Sequence, residues 1–419
     1  MSLMRIDDLF HFEKGILQSS KCSEGNFDFI TASSEWKTHN EYTHDCEALV
    51  FAAAASGSLG RTHYVNGKFI SSDLCFIITP KDQNNLPIDL KFYHMIFNEF
   101  KDDIVKNTKA GTSKEAIGLK AFGNYKLPYF DIDKQVETKI QFVNMQHSKI
   151  ELNSELAHQL AFIKQLRQAF LREAMQGKLV KSTNTKETGQ QLLEKIKAEK
   201  AQLFAEKKLK KEKELPSISE EEIPFEIPEL WVWCRFEDIC EIKSNLVNPD
   251  NFLKLPHIAP NHIEKGTGKL LEYQTVEEDE LISAKHYFYP GQLLYSKVRP
   301  KLNKIVKVDF EGLCSADMYP LQPLINIDFL LNCMLSQFFL DEVDKFDNRV
   351  KMPKINQKQL SQLPIPLPPL HEQEQIVAKL EELMAFCDGL EQSIKESQGY
   401  NEKLLQEVLR EALQPQTQV

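Results

Sequence analysis

Four things are scarce or missing in this chain of 419 residues, and each shortage excludes a class of protein. No run of about 18 apolar residues occurs, so no membrane-spanning helix is expected. The opening MSLMRIDDLFHFEKG has neither an apolar stretch nor a small-residue cleavage site, so secretion is not expected either. The eight cysteines (Cys22, Cys46, Cys75, Cys234, Cys240, Cys314, Cys333 and Cys387) form no C-x-x-C pair and no Cys/His spacing that suits zinc. They read as small buried residues in a reducing cytoplasm. Excess positive charge is also absent: the formal net charge of −10 argues against coating DNA by bulk attraction.

Catalytic signatures are missing as well. GTGK at Gly266–Lys269 lacks the earlier glycine and the following Ser/Thr that a phosphate cradle needs. NPDNF at Asn248–Phe252 lacks the second proline and the aromatic at the fourth position of an amino-methyltransferase loop, and no Gly-rich turn for S-adenosylmethionine precedes it. No G-x-S-x-G elbow and no H-E-x-x-H occurs, and His39, His44 and His63 read as surface or core residues. The chain is therefore expected to bind rather than catalyse, with no catalytic residue and no metal site. Its basic residues are unevenly spread. Lys285, Lys297, Arg299, Lys301, Lys304 and Lys307 lie in a stretch without a single acid, whereas Glu220, Glu221, Glu222 and Glu226 crowd together.

What is present is one unit written twice. RIDDLFHFEKG (Arg5–Gly15) matches RFEDICEIKSN (Arg235–Asn245), and SSDLCFIITP (Ser71–Pro80) matches SADMYPLQPL (Ser315–Leu324), which sets Asp73 opposite Asp317. The later parts match without a gap: Pro128 falls on Pro366, Gln135 on Gln373, and Leu171–Ala174 on Leu409–Ala412. An ungapped match of that length, ending in the same LREA, is not a chance event.

Each unit begins with strand-like runs (Ala48–Ala53, Phe69–Thr79, Gly291–Ser296, Lys304–Val308) mixed with amphipathic stretches (Leu90–Val105, Phe329–Val343). A stiff proline-containing exit follows, LPYFDI in one copy and LPIPLPPL in the other. A long helix then follows with apolar residues stepping by four and three. The seam is read as Phe142, Leu152, Leu156, Ile163, Leu166 and Phe170 in the first copy. In the second it is Ile376, Leu380, Leu383, Leu390, Ile394, Leu404 and Val408. Lys149 opposite Cys387, and Ile163 opposite Asn401, are polar breaks that would set pairing at some cost in stability.

The predicted class is α+β: two α/β-type globular modules separated by two long antiparallel coiled-coil helices, with an internal pseudo-two-fold. The expected boundaries are 1–130 and 231–368 for the modules, and 131–180 and 369–419 for the helices. Residues 181–230 are read as a charged helix (Lys186–Glu214) and an extended acidic, proline-containing linker (Leu215–Trp233).

LPIPLPPLHEQEQIVAKLEELMAFCDGLEQSI (Leu363–Ile394), LRQAFLREAMQGKLV (Leu166–Val180) and EEIPFEIPELWVW (Glu221–Trp233) resemble the specificity subunits of type I restriction-modification systems. The resemblance implies that each module is a target recognition domain and that the DNA target has two dissimilar parts with an unread gap. It also implies partners: double-stranded DNA, two methyltransferase subunits, and restriction subunits joining the assembled core. S-adenosylmethionine, ATP and magnesium are then expected on those partners and not in this chain, which works in the cytoplasm. One departure stands out: PELWVWCRFEDIC introduces the second module, whereas the first opens at MRIDDLF with no tryptophan-bearing lead. The remaining alternative is a coiled-coil adaptor whose modules bind proteins.

Residues expected at DNA are those that could meet phosphates or base edges. In the second module they are Lys297, Arg299, Lys301 and Lys304, with Asn348, Arg349 and Lys351 in a later loop. In the first they are Ser56, Ser58, Arg61 and His63, with Lys109, Thr112, Ser113 and Lys114 in the matching later loop.

Overall fold

The computed structural model describes residues 2–54, 57–110, 115–181, 187–205, 215–346 and 353–412. It divides into two compact units, one of residues 1–156 with 396–419 and one of residues 157–395. Each is taken by itself.

In the first unit a six-stranded sheet runs in the order Phe10–Lys14, Cys75–Pro80, His44–Ala52, Thr62–Ser71, Phe27–Ile30, Lys37–His39. His44–Ala52 is buried on both faces over its second half. Leu49 and Phe51 face a core with Phe92, Phe97 and Phe122, while Ala48, Val50 and Ala52 face another with Ile30, Phe69 and Ile77. That two-sided burial is why the alternation seen at His44–Glu47 gives way to a continuous apolar run. The single strand-like run Phe69–Thr79 is two strands, because Ser72–Leu74 turns the chain between them: the Cys75 amide donates to the Ser72 carbonyl at 2.9 Å. The amphipathic run Leu90–Val105 is likewise two helices, Leu90–Glu99 and Lys101–Thr108, broken at Phe100.

In the second unit the strands Cys240–Ile242, Met318–Pro323, Gln292–Ser296 and Ile305–Val308 form a sheet in that order. A further sheet is ordered Leu246–Val247, Lys285–Phe288, Gly312–Cys314, Pro256–Ile258, Gln274–Thr275. The long strands of the first module are thus cut in two in the second, at Gly291 (φ 80°) and at Asp309–Glu311. The second amphipathic run is again two helices, Ile327–Leu335 and Gln337–Asp344, broken at Ser336.

The duplication extends to individual hydrogen bonds. Ser2–Arg5 pairs with Lys126–Tyr129 as Val232–Arg235 pairs with Pro364–Leu367, so both proline exits are strands and not bare connectors. The Ile6 amide then bonds the Tyr125 carbonyl, and the Phe236 amide the Leu363 carbonyl, each at 2.9 Å. One alignment is corrected. Phe10 pairs with Pro80 and Cys240 with Pro323, which makes Pro80 equivalent to Pro323 and puts Leu74, not Asp73, opposite Asp317.

The first long helix spans Ile132–Met175 and the second Leu370–Ala412. Their contacts run antiparallel within each unit. In the second unit Arg167 donates to the Met384 carbonyl (3.3 Å), Asp388 (2.6 Å) and Glu391 (3.3 Å). In the first, Asn401 donates to Asn153 (2.9 Å) and to the Lys149 carbonyl (3.4 Å), so the polar break at Asn401 is a specific contact between the helices. Leu156, Ile163, Ile376 and Leu380 are buried, whereas Leu152, Leu390 and Leu404 are exposed and Val408 has a side chain outside the described residues. Cys387, at the step of the second seam opposite Lys149, is fully buried.

The charged helix is Gly189–Ala205, and it buries Leu193 and Ile196 against the second module. Residues 206–214 lie outside the described ones. The acidic segment after it is not a solvated linker: Trp231 is buried and donates to Glu372 at 2.9 Å, and Glu222 forms a two-bond pair with the buried Arg235. Among the described residues, no helix is long and apolar enough to cross a membrane. All eight cysteines are free; six are buried, and Cys22 and Cys46 are half-buried.

Candidate DNA-reading loops

Each module carries a hairpin loop at the end of its central strands, 53–61 in the first and 297–304 in the second. The two are built alike. The Ala52 amide bonds the Arg61 carbonyl at 2.8 Å, and the Ser296 amide bonds the Lys304 carbonyl at 2.9 Å. A residue with positive φ precedes each closing position, Gly60 (83°) and Asn303 (44°), because the return into the strand needs a left-handed step. A second loop is strapped to each hairpin: the Ile117 amide donates to the Ala53 carbonyl at 2.8 Å, and the Ile355 amide to the Lys297 carbonyl at 3.0 Å. The same strap between an early and a later segment is therefore present in both copies.

The closing basic residues have the same internal task. The Arg61 guanidinium donates to the Ala32 carbonyl at 3.1 Å, and the Lys304 ammonium to the Pro260 carbonyl at 2.6 Å. Ala32 and Pro260 are themselves equivalent, each two residues beyond an isoleucine whose carbonyl receives the same serine amide (Ser72 to Ile30, Ser315 to Ile258, both 2.9 Å). Arg61 and Lys304 latch the hairpin to the neighbouring strand end. No motif in the sequence marks that role, since it depends on a contact across the sheet.

The acid-free stretch 285–308 is not a free cationic surface. Lys285 is buried and bonds Ser283 (2.6 Å to its hydroxyl). Lys297 donates to the Ala316 carbonyl at 2.6 Å and lies over the Tyr319 ring at 5.2 Å. Lys301 pairs with Asp344 and Lys307 with Asp328, both at 2.8 Å. Acids distant in sequence supply the balance that the stretch itself lacks. Arg299 differs: it is exposed, and its guanidinium has no ion pair or hydrogen bond among the described residues.

In the first module Ser58 is half-buried beside Arg61 (3.4 Å), and Lys109 is exposed and paired with Glu115 (2.7 Å). His63 does not join the hairpin surface. It sits on the following strand, accepts the Trp36 indole N–H at 3.2 Å, and lines a cavity of about 1170 Å³ with Tyr64, His94 and Phe142. Burial lowers the affinity of His63 and His94 for a proton, so both are held toward the neutral form. Ser56, Thr112, Ser113, Lys114, Asn348, Arg349 and Lys351 lie outside the described residues. No group of three or more His, Cys, Asp or Glu among the described residues could hold a metal ion.

With its duplicated α+β module, paired loops and paired long helix, the chain falls by sequence match in a class of DNA-specificity proteins. The model of the type I restriction modification DNA specificity domain matches residues 1–161 and 228–397. The chain belongs to this family, the specificity subunits of type I restriction-modification systems, whose general role is recognition of a DNA target. It is 31% identical to the EcoDI specificity subunit of Escherichia coli, over 98% of this chain and 87% of that one. Against the Escherichia coli EcoAI specificity subunit it is 30% identical over 59% of this chain, which spans 44% of that relative. Two solved structures share the fold at 15% identity. One belongs to a study of complex assembly and conformational transition in the type I R-M system (TM-score 0.63, covering 99% of this chain and 97% of that one). The other is the HsdS subunit from Thermoanaerobacter tengcongensis (TM-score 0.57, 98% and 96%).

Proposed function

We propose that this chain reads an asymmetric two-part DNA target, one half-site per module, and docks two methyltransferase subunits on its repeated helical regions. The observation that carries this reading is a single hydrogen-bonded loop frame, held twice by equivalent bonds and carrying dissimilar residues. Two equivalent frames suit a duplex, which has two-fold axes of its own, and dissimilar loops ask for dissimilar half-sites. A helix of about 44 residues rises roughly 65 Å, somewhat under two turns of DNA at about 34 Å each, which favours a short unread gap.

The long helices support double docking. Leu152 and Leu390, and likewise Phe162 and Tyr400, occupy equivalent positions in the two copies, and all four are exposed. Two copies of one partner would find the same apolar steps twice. Restriction subunits join that core, and S-adenosylmethionine, ATP and magnesium belong to the partner subunits. Cleavage and methylation are then activities of the assembly, and this chain supplies their address. With a net charge of −10, much of the phosphate contact is expected from the partners.

Methylation mapping of the source genome with and without the chain tests the reading. One split motif with two unlike halves should lose its methylation when the chain is removed. Loss of no motif, or of an unsplit one, contradicts it.

A further inference from the structure

Within the second module's hairpin the basic residues divide into two kinds. Lys297, Lys301 and Lys304 are engaged by the protein itself, as described above. Arg299 has an exposed guanidinium with no ion pair or hydrogen bond among the described residues, yet its backbone is held in a strained conformation. It adopts φ 49°, ψ 59°, a left-handed conformation that non-glycine residues avoid unless the surroundings impose it.

The surroundings do impose it. The Arg299 amide donates to the Pro353 carbonyl at 2.8 Å, and the Arg299 carbonyl accepts from the Leu302 amide at 2.9 Å. Val298 on one side bridges to Lys354, and Pro300 on the other is buried. Asn303 closes the turn from a buried position, its amide nitrogen on the Met334 carbonyl at 3.0 Å. A strained backbone fixed from both flanks, ending in an exposed planar cation, is suited to presenting that cation in one direction. Mere attraction to phosphate needs no such fixation, and a flexible lysine serves it as well.

We propose that Arg299 is the base-reading residue of the second module, its guanidinium donating a pair of hydrogen bonds to O6 and N7 of a guanine, while Lys297 and Lys304 frame the loop. This rests on the two-part DNA reading above. Among base edges in the major groove, guanine alone offers two acceptors at the spacing of the guanidinium fork.

The test uses the assembled methyltransferase complex carrying wild-type chain, Arg299→Lys or Arg299→Gly. Each is assayed by methylation mapping and by binding to duplexes changed one base pair at a time. Glycine is at ease at φ 49°, so Arg299→Gly keeps the fold while removing the fork. Both variants should relax one guanine position in one half of the motif, with discrimination there falling about tenfold to a hundredfold. The other half should stay as specific as before. The proposal is overturned if the wild-type complex shows a split motif and both variants show the same motif with the same discrimination. It is equally overturned if they weaken all duplexes alike. A wild-type complex with no split motif overturns the two-part reading instead.

Discussion

Gln135 and Gln373 occupy the same position in the two copies and do the same thing, whereas Arg5 and Arg235 occupy the same position and do not. Both glutamines are fully buried at the start of a long helix. Gln135 accepts the Asp89 amide (2.8 Å) and donates to the carbonyls of Pro87 (2.9 Å) and Phe130 (2.7 Å). Gln373 accepts the Asn326 amide (3.0 Å) and donates to the Pro368 carbonyl (2.9 Å). Asp89 and Asn326 in turn cap the helices Leu90–Glu99 and Ile327–Leu335. One side chain thus fastens module to helix in each copy by satisfying backbone groups that no strand or helix partner reaches. Arg235 is tied to Glu222 and to the Pro216 and Gln362 carbonyls, with its side chain only 9% exposed. Arg5 instead pairs with Asp7 at the surface, its side chain 44% exposed. The glutamines are directed at the backbone in both copies, whereas the arginines differ in burial and in the partners they hold.

Two experiments sharpen that contrast. The larger effect belongs to the glutamines. Gln135→Ala orphans three buried or half-buried backbone groups and should destabilise the first unit by about 3 kcal/mol; Gln373→Ala orphans two and should cost the second about 2 kcal/mol. Denaturant unfolding followed by a probe in each unit measures both, and equal losses smaller than about 0.5 kcal/mol would break the shared-fastener account. The smaller effect separates the arginines. Arg235→Ala should cost about 2 kcal/mol and Arg5→Ala less than about 0.5 kcal/mol.

Acid reads the same difference. Chiefly through its hydrogen bond from Arg235, the Glu222 carboxyl is held down at about 2 against an ordinary 4.5. A carboxylate depressed in the folded state adds stability above about pH 4.5, and that stability is lost as the pH falls toward about 2. Glu222 is 44% exposed, so solvent screening keeps the contribution modest. Unfolding curves between pH 6 and pH 2.5 should show a decline in the second unit that Arg235→Ala flattens.

The repeat and the two long helices were legible because both are periodic: one in identity, the other in apolar spacing. The equivalence of the early loops, 56–63 and 297–304, was legible by the same route. Side-chain roles were not. The stretch 285–308 has no acid of its own, but Asp328 and Asp344 arrive from helices that follow it in sequence. Arg61 and Lys304 looked like free cations because the carbonyls they reach, Ala32 and Pro260, are 29 and 44 residues away. His63 lay next to the hairpin in sequence but sits on the following strand, Thr62–Ser71, and lines a cavity. The tryptophan lead that marks the second module was read as a difference between the copies, yet Ser2–Arg5 pairs with the exit strand just as Val232–Arg235 does.

The central claim is one frame with two readers, and a chain carrying residues 231–368 in both module positions tests it most directly. Methylation by a complex built on that chain should fall on a symmetric split site, the second module's half-site facing its own inverted copy. Methylation of the original asymmetric motif, or of an unsplit one, would contradict the account.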